Sequence, residues 1–400
     1  MYSKKANPGG TVSGEAIIGR KSEIDELWGK LDKQSVVLTA ERRVGKTCVL
    51  RKMTENPRNE WVPLFCLVES CHHPIEFVES IYEEAKRMEA QSGKGVWLKR
   101  IRDAYKTISE GEIAGWHLPR VKADWKRLLR NLIEDVAENT GKRILVMLDE
   151  FPMMISNIID SPEAGPTVAM ELLNELRVTR QKFESSNRIR FVLSGSIGLH
   201  LVLQDLKSNH AYKGNPTNDM AIKVLSGMCK GDVELMCKKY LDEEGIERQA
   251  TSEFDERMFS STDGLPLYVQ YICEGFQNAK RTSVEPNDVD VSIREMMDRP
   301  EVEWFANSAE RIDNYYVRLG VNDVATTILK MLSHEEDYVG EGAIIDYVRT
   351  QVLVEDDEIV RSTLLLLRDD NYLIRDTSAG GRRYRFRYSI MRKWWEINKG

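Results

Sequence analysis

Short apolar runs recur along the first 225 residues, and longer stretches with helical periodicity separate them. Four of the runs predict strands, and Ala221–Leu225 is a fifth candidate; the four are Ser35–Thr39, Val62–Val68, Ile144–Leu148 and Ile189–Leu193. Continuous apolar strands between helical segments indicate a parallel sheet that is covered on both faces. The pattern therefore predicts an α/β layer architecture.

Helical spacing of apolar residues marks four further segments, which are Ile75–Ala90, Val121–Asn139, Asp232–Glu244 and Leu267–Asn278. A weaker segment, Gly111–Pro119, lies between the first two and is interpreted as a small hairpin. After Ser226 the strand signals give way to short amphipathic helices. This change predicts that the sheet domain ends near this point and that a helical region follows.

The last third of the chain, from about Val321, predicts three short helices followed by two strands. The helices are Val324–Leu332, Ala343–Arg349 and Glu358–Arg368, and the strands are Leu373–Arg375 and Tyr384–Tyr388. Within the last strand, aromatic residues alternate with Arg385 and Arg387, so rings face one side and guanidinium groups face the other. Three helices with a two-stranded wing predict a winged-helix domain.

The composition and length describe a globular protein of two or three domains. The 400 residues are 42% hydrophobic and 30% charged, enough for each domain to bury its own core. We divide the chain into a flexible N-terminal arm (1–16), a sheet domain (17–228), a helical region (229–320) and a winged-helix domain (321–400). The net charge of -7 argues against a protein coated with nucleic acid but leaves room for a local basic patch.

Six cysteines without a C-x-x-C pair predict reduced thiols that act as small core residues. No apolar run approaches the roughly 18 residues that a membrane span needs, and the N-terminus has no signal-peptide core. We therefore expect a cytoplasmic protein that does not contact a membrane.

The loop Ala40–Thr47, with the sequence Ala-Glu-Arg-Arg-Val-Gly-Lys-Thr, follows a predicted strand and precedes an apolar helical start at Cys48–Met53. In that context, backbone N–H groups and the positive end of the helix surround phosphate groups. Lys46 supplies a point charge to the β- and γ-phosphates, and Thr47 offers a hydroxyl oxygen to magnesium. Gly45 lets the backbone approach closely. We predict that this loop binds ATP with Mg²⁺.

Two arginines, Arg42 and Arg43, are less usual within such a loop. Surface solvation and contact with a neighbouring acidic side chain are two interpretations. Contact with a phosphate or with an adjacent subunit is the third. The sequence leaves these alternatives open.

Polar residues follow two later strands of the predicted sheet. Asp149 and Glu150 end the run that begins at Ile144, at the edge where open α/β folds bind ligands. We expect Asp149 to orient magnesium through its water shell and Glu150 to act as the general base for the attacking water. The alternative is an ordinary acidic turn after a core strand. Ser194-Gly195-Ser196 follows the next strand in the same way.

These segments, in this order, resemble those of the STAND-type and origin-recognition-like ATPases of prokaryotes, within the wider AAA+ group. Ile18-Gly19-Arg20-Lys21-Ser22-Glu23 looks like the [VI]-G-R-x-x-E box, whose backbone lies near the adenine. The resemblance implies a sheet of the additional-strand class, in which Ser194 or Ser196 senses the γ-phosphate. Gly264-Leu265-Pro266 resembles the turn that opens a nucleotide-sensing lid helix. The resemblance covers roughly residues 17 to 400.

The resemblance, together with the loop, assigns roles to particular positions. Catalytic roles fall to Lys46, Glu150 and Ser194, and magnesium binding falls to Thr47 and Asp149. The nucleotide-binding positions are Ile18, Gly19, Arg20, Ala40, Arg43, Val44, Gly45, Lys46, Thr47, Cys48 and Pro266. A trans-acting arginine has no certain position: Arg177 and Arg180, on the helix before the Ser194 strand, are candidates beside Arg42 and Arg43, and solvated helix positions are the alternative.

The predicted wing is basic, and DNA phosphate contact through Arg383, Arg385 and Arg387 is one interpretation. The third helix begins with the acidic run Glu355–Glu358, which speaks against base reading in the major groove. Non-specific DNA contact and protein contact therefore both remain. Trp394 and Trp395 serve either a partner or the core of the domain itself.

Three functions compete. The first is an ATP-hydrolysing switch that controls homo-oligomer assembly and engages an effector protein or DNA. The second is a DNA-processing loader of the replication-initiation or transposition type. The third is a scaffold that binds ATP without hydrolysis, against which Glu150 speaks because such proteins commonly lose the general base.

Overall fold

The computed structural model describes residues 5–10, 17–92, 98–99, 101, 103, 124–196, 198–298, 309–354, 356–378 and 380–400. The hairpin predicted at Gly111–Pro119 and most of the predicted arm lie outside these residues. The chain divides into two compact units. We call Lys21–Thr39 with Val49–Val224 the sheet unit, and Met1–Arg20, Ala40–Cys48 and Leu225–Gly400 the C-terminal unit.

The sheet unit contains five strands, each ending within one residue of its predicted bounds. They are β1 (Val36–Thr39), β2 (Trp61–Leu67), β3 (Arg143–Asp149), β4 (Ile189–Ser194) and β5 (Ala221–Val224). All pairings are parallel, in the order β2-β3-β4-β1-β5. Because β4 lies between β1 and β3, this is the additional-strand arrangement of P-loop ATPases, and the predicted fold class is confirmed.

Helices accompany these strands. They are α1 (Lys21–Leu31), α2 (Lys46–Glu55), α3 (Pro74–Ser92), α4 (Trp125–Asn139), α5 (Phe151–Asp160), α6 (Gly165–Phe183) and α7 (Leu199–Asn209); α2 begins in the C-terminal unit and continues into the sheet unit. In β3 every residue from Ile144 to Leu148 is fully buried, which explains why the strand has no polar alternation. Helix α4 buries one apolar stripe and begins at Asp124, whose side chain accepts a hydrogen bond from the backbone N–H of Arg127.

The C-terminal unit continues with short helices and a small parallel pair of strands. Its elements are α8 (Lys230–Tyr240), β6 (Glu247–Arg248), α9 (Thr251–Thr262), α10 (Pro266–Asn278), β7 (Ser283–Val284) and α11 (Pro286–Met297). The helix predicted for Asp232–Glu244 ends earlier, at Tyr240, and a 3-10 turn covers Asp242–Glu244. Gly245 follows with a φ of 80°, a left-handed conformation that terminates the turn.

The end of the chain has the predicted order of three helices and two strands, with two additions. The elements are α12 (Asn322–Ser333), β8 (Val339–Gly340), α13 (Glu341–Gln351), α14 (Asp357–Asp369), β9 (Leu373–Asp376), β10 (Arg383–Phe386) and α15 (Ser389–Lys399). The strands form an antiparallel sheet in the order β8-β10-β9. The additional elements are β8, which extends the two-stranded hairpin to a sheet of three, and α15.

Aromatic residues form the core beneath this small sheet. Tyr384 and Phe386 are buried on one face of β10, while Arg383 and Arg385, which alternate with them, are half-buried, as the alternation predicted. Trp395 is buried and its ring lies 6.3 Å from that of Tyr372 and 5.8 Å from that of Trp394. The two tryptophans therefore belong to the core of the unit, which decides between the alternatives that the sequence left open.

In the described part of the chain, no helix is long and apolar enough to span a membrane. Four cysteines are buried, Cys48 is half-buried and Cys229 is exposed; all six are free thiols.

Candidate functional site

The loop Ala40–Thr47 turns on two residues with left-handed backbone conformations. Arg43 has a φ of 66° and Gly45 has a φ of 100°. Alternation between right- and left-handed residues brings successive backbone N–H groups to one side, which is the geometry that binds anions. Val44 between them is fully buried and fixes the loop, while Arg42 and Arg43 are exposed.

The ammonium group of Lys46 is held inside this loop. Its Nζ donates hydrogen bonds to the carbonyl oxygens of Ala40, at 3.0 Å, and Glu41, at 3.1 Å. The side chain is only 6% exposed. A strongly hydrated ammonium is costly to bury without such acceptors, so these bonds fix where its charge lies.

Glu41, which the sequence did not single out, anchors the same loop. Its Oε1 accepts a hydrogen bond from the backbone N–H of Arg42 at 2.9 Å and from the guanidinium of Arg311 at 2.6 Å. Arg311 also donates to Asp370 Oδ1 at 3.1 Å and stacks over the ring of Tyr372. Burial lowers the pKa of Arg311, but the carboxylates of Asp370 and Glu41 outweigh burial and hold that pKa well above its ordinary value.

The predicted box Ile18–Arg20 is fastened to the loop and to α8. The Arg20 guanidinium donates to the carbonyl oxygens of Val44, at 2.7 Å, and Ser226, at 2.8 Å, and its backbone N–H donates to Asp232 at 2.9 Å. Gly19 has a φ of 68°, and a Cβ there would lie 2.3 Å from the carboxyl carbon of Asp232. Ile18 is half-buried. The Arg20 side chain therefore holds the backbone of the loop at Val44.

The turn Gly264–Pro266 lies beside the phosphate loop. Gly264 has a φ of 66°, and its carbonyl oxygen accepts a hydrogen bond from the backbone N–H of Met228 at 2.7 Å. A Cβ on Gly45 would lie 3.9 Å from the ring of Pro266, which opens α10, and 4.0 Å from Cβ of Cys48. The C-terminal unit therefore brings together the loop, the box and the turn Gly264–Pro266, which are three separate segments of the sequence.

In the sheet unit, the acidic pair lies at the carboxyl end of β3. Asp149 is fully buried. Glu150 has a φ of 59°, a left-handed conformation that costs a residue with a side chain about 1–3 kcal/mol. Its Oε2 accepts hydrogen bonds from the backbone N–H of Ser196, at 2.7 Å, and the Ser196 hydroxyl, at 2.8 Å. The carboxylate is thereby fixed in one orientation.

The two serines after β4 have different environments. Ser196 donates to Glu150, whereas the hydroxyl of Ser194 is buried and has no hydrogen-bond partner among the residues that the structure describes. Gly195 between them is required because a Cβ there would lie 2.4 Å from Cδ of Pro152. Of the two serines that the sequence left open as a γ-phosphate sensor, Ser196 is already bonded to Glu150, whereas Ser194 is not.

Arg180, a candidate for a trans-acting arginine, is engaged inside the sheet unit. Its guanidinium donates to both carboxylate oxygens of Asp219, at 2.8 and 2.9 Å, and to the carbonyl oxygen of Pro216. Burial raises the pKa of Asp219, but the hydrogen bonds and charge of Arg180, with smaller contributions from a backbone hydrogen bond and the charge of Arg177, together hold the pKa below its ordinary value. A bidentate ion pair already occupies the Arg180 guanidinium, which speaks against contact with another subunit. Arg177 is half-buried on the same helix.

We expect Arg180→Met to lower the free energy of unfolding by about 3–5 kcal/mol at neutral pH, because it leaves the Asp219 carboxylate without its partner. A lowered carboxyl pKa stabilises the fold above the pKa of the unfolded chain and stops doing so as the pH falls through the folded value. The loss should therefore shrink in acid. Urea denaturation at neutral and acid pH measures it, with Lys207→Met, a change at an exposed lysine of the same unit, as control. Equal losses at both pH values would contradict the ion-pair interpretation.

Comparison with known proteins gives a family model that matches part of the chain and two similar structures. The AAA domain family matches residues 30–203. A search of curated proteins found no match. The Walker-type ATPase of Pyrococcus abyssi is 16% identical over 98% of this chain and 99% of that chain, with a TM-score of 0.64. The ORC2 protein of Aeropyrum pernix, solved as ADPNP–ADP complexes, is 12% identical over 95% and 92% of the two chains, with a TM-score of 0.50. These likenesses show a shared fold.

Proposed function

We propose that this chain, which has the fold of an AAA-type P-loop ATPase, is an ATP-binding and slowly hydrolysing switch. Its nucleotide state would control oligomer assembly and engagement of a partner or DNA. The observation that carries the proposal is the placement of Lys46. The carbonyl oxygens of Ala40 and Glu41 hold its ammonium within the loop, whose backbone geometry suits an anion. The similar fold of Aeropyrum pernix ORC2 holds ADPNP and ADP, which supports a nucleotide as the ligand.

The oxygen donors that the sequence assigns to a metal suit Mg²⁺. Thr47 offers a hydroxyl oxygen and Asp149 a carboxylate, both hard ligands of the kind that magnesium prefers. When bound, the ion would neutralise charge on the β- and γ-phosphates. Lys46 would add its own charge there, and the loop N–H groups would orient the phosphates.

Glu150 distinguishes a hydrolysing switch from a scaffold. Two hydrogen bonds from Ser196 fix its carboxylate, so the group that would take a proton from the attacking water is held in place. Ser194, whose buried hydroxyl has no partner in the described ranges, would donate a hydrogen bond to the γ-phosphate. A scaffold that never hydrolyses has no use for an oriented carboxylate beside such a hydroxyl.

Measurement of bound nucleotide, phosphate release and particle size tests this function. We expect one nucleotide per chain, slow turnover that requires Mg²⁺, and a larger particle with ATP than with ADP or without nucleotide. The size measurement is repeated with duplex DNA. A chain that binds no nucleotide would overturn the proposal, and a chain that stays monomeric in every state would remove assembly from it.

A second candidate function, contact with DNA phosphates, rests on the small antiparallel sheet. The Arg385 guanidinium lies 4.9 Å from the ring centre of Tyr338, and neither Arg385 nor Arg387 forms an ion pair within the described part of the chain. Arg383 differs, because it pairs with Asp376. We infer a winged helix whose wing, rather than its helix α14, would meet a phosphate backbone.

Helix α14 is poorly suited to read bases. Arg361, one of its two arginines, lies 3.4 Å from Glu341 and 3.8 Å from Asp357, and Arg368 pairs with Asp369 at 2.6 Å. Guanidinium groups that pair with carboxylates have fewer N–H donors left for bidentate contacts to guanine. Any DNA contact should then be insensitive to sequence.

If the wing binds DNA, Arg385→Ala with Arg387→Ala should weaken duplex binding at low salt. The slope of log affinity against log salt is negative, and each phosphate contact removed should make it shallower by about 0.9. Arg349→Ala is the control, since Arg349 is an exposed arginine of the same unit that pairs with Asp357. Fluorescence anisotropy with one duplex at several salt concentrations gives both quantities. Unchanged affinity and slope in the double variant would assign the wing to a protein partner instead.

A further inference from the structure

Three charged side chains form a buried network within the C-terminal unit. Arg311 lies between Glu41 and Asp370, and none of the three is more than 5% exposed. The hydroxyl of Tyr316 lies 3.5 Å from Asp370 Oδ2, and the Arg311 guanidinium lies 5.2 Å from the ring centre of Tyr372. Charges buried this completely are expensive, and well-packed apolar side chains would often stabilise a fold as well or better.

The network joins segments that are distant in sequence. Glu41 is the second residue of the phosphate loop, and Arg311 is 270 positions away. Asp370 follows the last residue of α14, at the junction where the chain turns towards β9. Arg311 also donates to the backbone carbonyl of Asp370 at 3.4 Å, so it holds both the side chain and the backbone of that junction.

Glu41 connects this network to Lys46. Its carboxylate accepts from Arg311, and its backbone carbonyl accepts from the Lys46 ammonium at 3.1 Å. The same carboxylate accepts from the backbone N–H of Arg42, which fixes the peptide that follows the carbonyl. A shift of the Glu41 side chain therefore moves one of the two carbonyls that position the ammonium.

We propose that Arg311 is a positioning residue for Lys46, acting through Glu41, and that it couples nucleotide affinity to the α14–β9 junction at Asp370. The inference rests on the proposed function, since it assumes that Lys46 binds the phosphates. Coupling between two sites is reciprocal, so a nucleotide held by Lys46 stabilises the junction to the same extent that the junction favours the nucleotide.

The alternative is that the network only stabilises the fold, and the chain offers a matched comparison. Arg248 is likewise buried between two carboxylates of the C-terminal unit: it donates to Asp242 at 2.7 and 2.8 Å and also to Asp255. Within the described residues, the hydrogen bonds of the Arg248 side chain go to Asp242 and Asp255 and not to the loop Ala40–Thr47. An arginine that is only structural should behave as Arg248 does.

The experiment compares Arg311→Met, Arg248→Met, Glu41→Gln and the double variant of Glu41 and Arg311. Isothermal calorimetry with ATP gives the affinity of each full chain, and thermal unfolding gives its stability. We expect Arg311→Met to weaken ATP binding about tenfold, since hydrogen bonds to a charged group are lost. Arg248→Met should lower the melting temperature but leave the affinity within about twofold, as its effect is remote from the loop.

The double variant tests whether Arg311 acts through Glu41. If it does, the loss in the double variant should equal the larger single loss within about twofold instead of the product of the two. Hydrogen exchange supplies a second readout: ATP should slow exchange in β9 of the unmodified chain, and this slowing should disappear in Arg311→Met. Multiplying losses, or unchanged or tighter ATP binding in Arg311→Met, would overturn the inference.

Should Arg311→Met fail to fold, Arg311→Lys, which keeps the charge but loses the planar fork, and Asp370→Asn take its place under the same criteria. An unmodified chain that binds no ATP would refute the proposed function. An unmodified chain that binds ATP beside an Arg311 variant of equal affinity would refute the positioning role alone.

Discussion

Lys46→Ala is expected to reduce affinity for ATP by about a hundredfold or more and to abolish measurable turnover. The change removes the loop lysine whose charge is expected at the β- and γ-phosphates, and charge-assisted contacts are the strongest that such a loop offers. The ammonium lies at a fixed position because the carbonyls of Ala40 and Glu41 accept its hydrogen bonds.

Calorimetry with ATP and a phosphate-release assay measure this effect. Lys52→Ala is the matched control, because Lys52 lies on the same helix, α2, in its last turn. The control should bind ATP within about twofold of the unmodified chain, since the half-buried Lys52 lies outside the loop, in the last turn of the helix. ATP affinity retained in folded Lys46→Ala would mean that the loop is an ordinary strand-to-helix turn.

Glu150→Gln is expected to lower the hydrolysis rate by about 10²- to 10⁴-fold while ATP still binds, because a general base typically contributes this much. Glutamine keeps the shape of the side chain, and its carbonyl oxygen can still accept the two hydrogen bonds from Ser196. What it loses is basicity. The variant should therefore accumulate in the ATP-bound form, with the particle size of that form.

For this variant, single-turnover phosphate release measures the hydrolysis step, and a separate titration measures the affinity for ATP. Glu163→Gln serves as control, because Glu163 is an exposed residue of the same unit in the turn between α5 and α6. Turnover that persists in Glu150→Gln would show that another group activates the water. Loss of ATP binding in the same variant would show instead that the carboxylate shapes the nucleotide site.

The sequence by itself determined the features that depend on local chemistry. Strands β3 and β4 are visible because a central strand of a parallel sheet is buried on both faces and so cannot alternate with polar residues. The edge strand β5, which exposes Ile222 and contains Lys223, gave only a candidate. Ala40–Thr47 is visible because phosphate binding needs a glycine, a lysine and a hydroxyl at fixed spacing between a strand and a helix. The alternation in β10 likewise placed aromatic rings on one face and arginines on the other.

Only the tertiary structure decided which polar side chains meet. Ser196 lies 46 positions from Glu150, Asp219 lies 39 from Arg180, and Arg311 lies 270 from Glu41. No periodicity or motif encodes such pairs. A short segment of sequence around an acidic residue does not show whether that residue is exposed or is buried against a distant arginine. The fold brings these segments together, and burial then requires each charge to find a partner. For that reason the loop could be predicted from the sequence, while the pair of Glu41 and Arg311, which holds the loop, could not.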